Sequence, residues 1–257
     1  MSLPPCRSRF LCTAQTGQNG LNLSADGPIY LPMESVLSAQ LDFVLFFYGL
    51  AFILLGVVCF SATGARAQLV FSRCLGSFAV LHGLGEWLDM TALLVGDGPA
   101  FAWVRTAIMT SSFLLLMEFA RLNARQFGRR VPDRGWYLPV ILVLAAFSLT
   151  ATPASVNAVA RYATGLLGGL AAAWVFARHA RGSSGFQRRL LLLVAVEMAC
   201  YAVAAGAIVP RAPFWPASAF NYPWFAHVAG MPIQIVRGTL ACGMALSIWG
   251  IWNVSSR

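Results

Sequence analysis

The stretch LDFVLFFYGLAFILLGVVCF, residues 41–60, carries a single charged side chain, Asp42. Its length matches the roughly 20 apolar residues that an α-helix needs to cross a bilayer core. Inside that core no water satisfies backbone N–H and C=O groups, so only helices and closed barrels can span it. Comparable apolar segments recur at about 69–95, 100–122, 135–152, 155–178, 188–210 and 230–253, after the first at about 40–62. Composition agrees: 58% of residues are hydrophobic and 11% charged, against about a quarter charged in an ordinary soluble domain. These segments predict an all-α integral membrane protein, a seven-transmembrane-helix bundle over residues 37–257. Residues 1–36 are polar, rich in Gly, Pro, Ser and Asn, and lack the apolar h-region of a signal peptide. They are expected to be poorly ordered, and Met33 offers an alternative start just ahead of the first span.

All 18 basic residues are arginine. The absence of lysine excludes a retinal protein, whose chromophore needs a lysine amine for its Schiff base. Arginines cluster in alternate loops: Arg66 and Arg73; Arg121, Arg125, Arg129, Arg130 and Arg134; Arg178, Arg181, Arg188 and Arg189. The intervening loops hold almost none, with Arg211 the exception. The positive-inside rule then places the N-terminus outside and the C-terminus in the cytoplasm. The net charge of +9 reads as this loop bias and not as a nucleic-acid footprint. Trp87, Trp103, Trp136, Tyr137, Trp215, Trp224 and Trp252 fall near the span ends, as an aromatic belt does. The six cysteines show no metal-ligand spacing and imply no disulfide framework. Small residues at Gly165, Gly169 and Ala173, and at Gly76 and Gly83, are spaced for close helix packing.

Ionisable residues inside apolar runs are expensive and need partners. In LHGLGEWLDM, His82, Glu86 and Asp89 stand at i, i+4 and i+7 and share one helix face. Counting residues from the outer ends places Arg105, Arg161 and Arg237 near the level of Glu86. Convergence of these four predicts a paired, hydrated cavity opening outward, while a purely structural ion pair is the competing reading. Asp89 is read as an interface residue facing water. Glu197, near mid-depth of the sixth span, is expected to be protonated or to pair with His82. Glu118 and Arg121 are expected to form an exposed helix-end pair. The segment RAPFWPASAFNYPWFAH, 211–227, is aromatic and nearly uncharged. It is expected to lie in the interface or fold over the bundle as a lid, followed by Pro232 and Gln234 at the start of the last span. The ligand-site candidates are therefore His82, Glu86, Arg105, Arg161, Glu197, Gln234 and Arg237. No two of the histidines His82, His179 and His227 match in depth, so a haem pair is not predicted. No metal or other cofactor is predicted, and His82 with Cys200 or Cys242 lacks the spacing for a copper site.

Four motifs, FFYGLAFILLGV, LHGLGEWLDM, FLLLMEFAR and FWPASAFNYPWFAHVAGMPIQIVRGTLA, resemble one bacterial family over residues 40–255. It is the seven-helix N-terminal membrane sensor region found ahead of PAS, histidine-kinase and diguanylate-cyclase modules. The resemblance implies a non-catalytic input domain that passes an external, membrane-borne or redox signal to a cytoplasmic output. It carries His82, Gly83, Glu86, Trp87, Glu118, Asn221, Pro232, Gln234 and Arg237. The family usually continues into output modules, whereas this sequence stops at IWNVSSR. The expected partners are accordingly membrane lipids and either a cytoplasmic signalling protein or other membrane subunits. The alternative role is an accessory subunit of a larger electron-transfer or photosynthetic membrane complex. Against an enzyme, no nucleophile–base spacing or metal motif appears. Against a transporter, neither an inverted repeat nor a pair of broken helices appears.

Overall fold

Six helices in the computed structural model, which describes residues 40–61 and 72–254, are long and apolar enough to cross a membrane. In chain order they and the shorter elements are α1 (Leu41–Ser61), α2 (Ser72–Val95), α3 (Pro99–Gln126), a 3₁₀ turn (Arg134–Trp136), α4 (Tyr137–Ser148), α5 (Pro153–Ala160), a π-helical turn (Arg161–Leu166), α6 (Leu167–Arg181), α7 (Gly185–Gly206), α8 (Tyr222–Ala229) and α9 (Ile233–Val254). α5, the π turn and α6 run on as one span, Pro153–Arg181. The polar segment 1–36, together with the Arg66 loop, lies outside the described residues.

The long helices close a ring. α1 packs on α2, α2 on α3, α3 on α6, α6 on α7, α7 on α9, and α9 back on α1. Small residues set the tightest crossings. A Cβ added at Gly83 would stand 2.6 Å from the Gly49 carbonyl oxygen, and one at Gly206 would stand 2.5 Å from the Leu166 amide nitrogen. Both are backbone-to-backbone approaches that only glycine permits. The Gly165–Gly169–Ala173 row divides between two neighbours: a Cβ at Gly165 would meet the Phe113 ring of α3, and one at Gly169 would meet Ala202 of α7. Phe52, Phe78, Phe113, Phe119, Phe176 and Tyr201 fill the interior between these seams.

The fourth apolar segment folds differently from its neighbours. It forms the short apolar helix Arg134–Ser148, in which only Leu144 is buried and Leu138, Leu142 and Val143 are more than half exposed. It packs against α5, outside the ring. Its connections fix its path. The Pro132 carbonyl accepts from Arg121, and Tyr137 donates to Glu118, near one end of α3. Thr152, Pro153, Asp97 and Arg105 share a cavity at the other end. Gly165 then lies beside Phe113, Gly168 beside Met117, and His179 beside Asn123. Residue numbers rise together on both helices, so the α5–α6 span runs in the same direction as α3.

Candidate functional site

His82 sits inside the ring, 1% exposed, and gathers side chains from four helices. Its Nδ1 lies 3.0 Å from the Ser112 hydroxyl of α3. That hydroxyl already donates to the Met109 carbonyl oxygen at 2.7 Å. Ser112 must therefore accept, and Nδ1 carries the proton; Nε2 is then the acceptor of a neutral ring. Two phenols address Nε2, Tyr201 of α7 at 2.8 Å and Tyr48 of α1 at 3.2 Å. A single lone pair cannot accept both in full, so one hydroxyl has its proton to spare. Glu86, one turn along α2, places Oε1 3.4 Å from the same nitrogen. Phe52, Phe78 and Phe113 wall the imidazole, with ring centroids 4.8, 5.4 and 5.1 Å away. A buried polar network of this kind is stable only when its members are satisfied, which explains why the hydroxyls arrive from three other helices.

The two fully buried arginines end α7. Arg237 of α9 donates through Nε and Nη2 to the Ala204 carbonyl oxygen at 3.0 and 2.8 Å, and through Nη2 to Ile208 at 2.7 Å. Arg161, at the head of the π turn, donates through Nη1 to Ala205 at 3.0 Å and through Nε to the Asn157 side chain at 2.8 Å. The last carbonyls of a helix have no partner within it, and their partial negative charge favours a cation. Here two guanidinium groups supply both. Neither arginine forms an ion pair with Glu86 within 4.0 Å among the described residues.

A cavity of about 390 Å³ opens at the end of the ring where α2 meets α3, lined by Asp89, Asp97, Arg105, Thr106, Thr152 and Tyr222 among others. Arg105 bridges the carboxylates of Asp89 and Asp97. Tyr222, at the start of α8, joins this cavity to the core: its hydroxyl accepts from Arg237 Nη1 at 3.4 Å, and its ring lies 5.0 Å beneath the guanidinium carbon. The loop before it folds back over α5. Ala212 and Ala217 are buried against Ala158 and Val209, and Val209 pairs with Asn221 in an isolated bridge. Asn221 caps α8 by accepting from the Trp224 amide at 3.1 Å.

The structure thus brings His82, Glu86, Arg161 and Arg237 into one buried region and leaves three predicted residues outside it. Arg105 serves the cavity at the rim. Asp89, expected to face water, is its partner. Glu197 does not contact His82; its carboxylate packs against Gly243 of α9, where a Cβ would collide with it, and Oε2 is buried with no hydrogen-bond partner. Gln234 lines a separate groove between α1 and α9. At the opposite end, Glu118 and Arg121 are not an exposed pair. Their side chains are 12% and 6% exposed, and Glu118 accepts from Arg121, Arg134 and Tyr137. Sequence reasoning missed Tyr48, Ser112, Tyr201 and Tyr222, because hydroxyl-bearing residues within apolar runs give no signal until a partner is placed beside them. No cluster of His, Cys, Asp and Glu suited to hold a metal ion occurs among the described residues.

Comparison with family models, curated proteins and solved structures finds no match to the chain.

Proposed function

We propose that this chain is a non-catalytic signal-input protein of a bacterial inner membrane, spanning it seven times with its N-terminus outside. The parallel course of α3 and the α5–α6 span supports the seventh crossing. A chain that leaves α3 at the Glu118 end and begins α5 at the Arg105 end must traverse the bundle between them, and α4 with its flanks is the only segment available. The arginine-rich loops gather at the Glu118 end, which the positive-inside rule places in the cytoplasm. In a cysteine-free background, single cysteines at Gln40 and Asn253 should react with an impermeant thiol reagent from opposite faces. Reaction from the same face would leave six crossings.

The observation that carries the functional reading is the double role of Tyr222, which lines the Arg105 cavity and accepts from Arg237. Arg237 in turn holds the end of α7 from α9. An occupant of the cavity that draws Tyr222 or Asp89 toward itself changes the partners of Arg237 and shifts α9 against α7. A ligand moves such an equilibrium only through contacts that differ between the two states; the Tyr222–Arg237 bond is such a contact. The resemblance to the seven-helix sensor region agrees with this role, with the cytoplasmic end of α9 as the output. With the chain fused to a reporter histidine kinase, Tyr222→Phe and Glu86→Gln should each remove the response while the unfolding temperature stays near that of the parent. A response unaltered in both variants would sink this reading.

A further inference from the structure

A second cavity lies between α1 and α9, separate from the Arg105 cavity, with a volume of about 460 Å³. Its walls are Phe43, Val44, Phe47 and Ile235, and the side chains of Gln40, Gln234 and Thr239 add its polar groups. None of its lining residues among the described ones is charged. Phe43 and Phe47 are both 62% exposed, so the groove opens sideways to the surroundings of the bundle. Its size and its mixture of apolar walls with a few polar groups suit a small-molecule site.

Three features define the occupant. The groove follows α1 from Gln40 to Tyr48 and α9 from Gln234 to Cys242, about 12 Å at 1.5 Å per residue. That is less than half of a hydrocarbon core about 30 Å thick. A partner helix crossing the membrane would lie along the whole of both helices, so a groove of this depth fits a shorter molecule confined to the leaflet at the Arg105 end. Gln40 immediately precedes α1 and Gln234 stands in the first turn of α9, so both lie at the same end of the groove. Primary amides both donate and accept, and they carry no charge. They match a neutral hydrogen-bonding head, whereas an anionic or cationic head would find no counter-charge among the described lining residues. Below them the walls are hydrocarbon and aromatic, which suits a single apolar chain.

We infer that the α1–α9 groove binds a membrane-borne amphiphile with a neutral hydrogen-bonding head and one apolar chain, reached laterally from the leaflet at the Arg105 end. Its floor is Tyr48, whose hydroxyl touches His82 Nε2. An occupant therefore presses on a ring that leads directly into the buried network. The binding itself stands independently of the signalling role proposed above.

The test uses the full chain in phosphatidylcholine nanodiscs with a diazirine-bearing hexadecanol as the probe. Labelling should concentrate on residues 40–48 and 234–242 and should be displaced by unlabelled hexadecanol. Thr239 is exposed, so Thr239→Trp should fill the groove without unfolding the bundle and weaken labelling at least about fivefold. Replacing Gln40 and Gln234 by leucine should erase the preference for the alcohol over a diazirine-bearing alkane. The matched fatty acid anion should label less than the alcohol. Four results would overturn the proposal: even labelling of every lipid-facing helix, labelling indifferent to Thr239→Trp, preference for the fatty acid, or groove labelling by a diazirine-bearing phosphatidylcholine that hexadecanol does not displace. The last would identify ordinary bilayer lipid.

Discussion

The His82 cluster and the Glu118 cluster are both polar knots in an apolar bundle, yet they are tied differently. Every hydrogen-bond partner of His82 lies on another helix, at sequence separations of 34, 30 and 119 residues. The partners of Glu118 lie 3, 16 and 19 residues away, on its own helix and the turn that follows. The first knot can form only when the ring has closed, and it reports on the mutual position of α1, α2, α3 and α7. The second closes with the α3–α4 connection alone. Long-range polar contacts therefore specify how the helices are arranged, and the local ones pin a reversal of the chain.

Substitutions can break this contrast. The largest effect is expected for Arg237→Met, which leaves the Ala204 and Ile208 carbonyls without their buried cation; loss of one member of such an arrangement costs about 3–5 kcal/mol, measured as unfolding by denaturant in detergent. His82→Phe should follow at about 2–3 kcal/mol, since it takes the acceptor from the Tyr48 and Tyr201 hydroxyls at once. Tyr48→Phe, which removes a single hydroxyl of the same network, should cost about 1 kcal/mol, well below His82→Phe. If the two cost the same, the phenols are not shared as described. Glu118→Gln keeps an acceptor for Arg121 but removes the charge shared by two arginines; it should cost about 1 kcal/mol and raise the rate of proteolysis between residues 128 and 135. Arg105→Gln should have the smallest effect, about 0–1 kcal/mol and weaker at high salt, because its partners Asp89 and Asp97 are 37% and 42% exposed. A large effect there would mean that the rim, and not the core, holds the ring together.

Much of the architecture was legible in the apolar runs, because hydrocarbon leaves a chain few alternatives to helices. The fourth span was harder to judge. Its run predicted a crossing, but the helix formed is short and peripheral, and a seventh crossing rests on the proposal drawn from the parallel course of its neighbours. Depth counting grouped Glu86 with three arginines; two of them, Arg161 and Arg237, are buried as Glu86 is, but they bond to the end of α7 and not to the Glu86 carboxylate. Counting fixes height and leaves rotation about the helix axis undetermined. This is why Arg105, at a similar predicted level, turned toward Asp89 and Asp97, and why Glu197 faces Gly243 and not His82. The role of the buried arginines was also invisible in the sequence. Their main partners are backbone carbonyls of α7, and carbonyls are present in every residue.

The π turn at Arg161–Leu166 has a consequence for how this span can vary. Such a turn accommodates one residue more than the α-helical path around it, so α5 and α6 share an axis but are out of phase. A one-residue deletion within 162–166 would be absorbed by a return to regular α-helix, with α5 and α6 still presenting the same faces. A one-residue deletion within α6 would instead rotate everything before it by about 100° relative to the rest of the span. Arg161 and Asn157 would then swing off the end of α7, and the α5 face that now packs against α3 would turn toward lipid. The π turn is therefore the place where this span should best tolerate the loss of a residue.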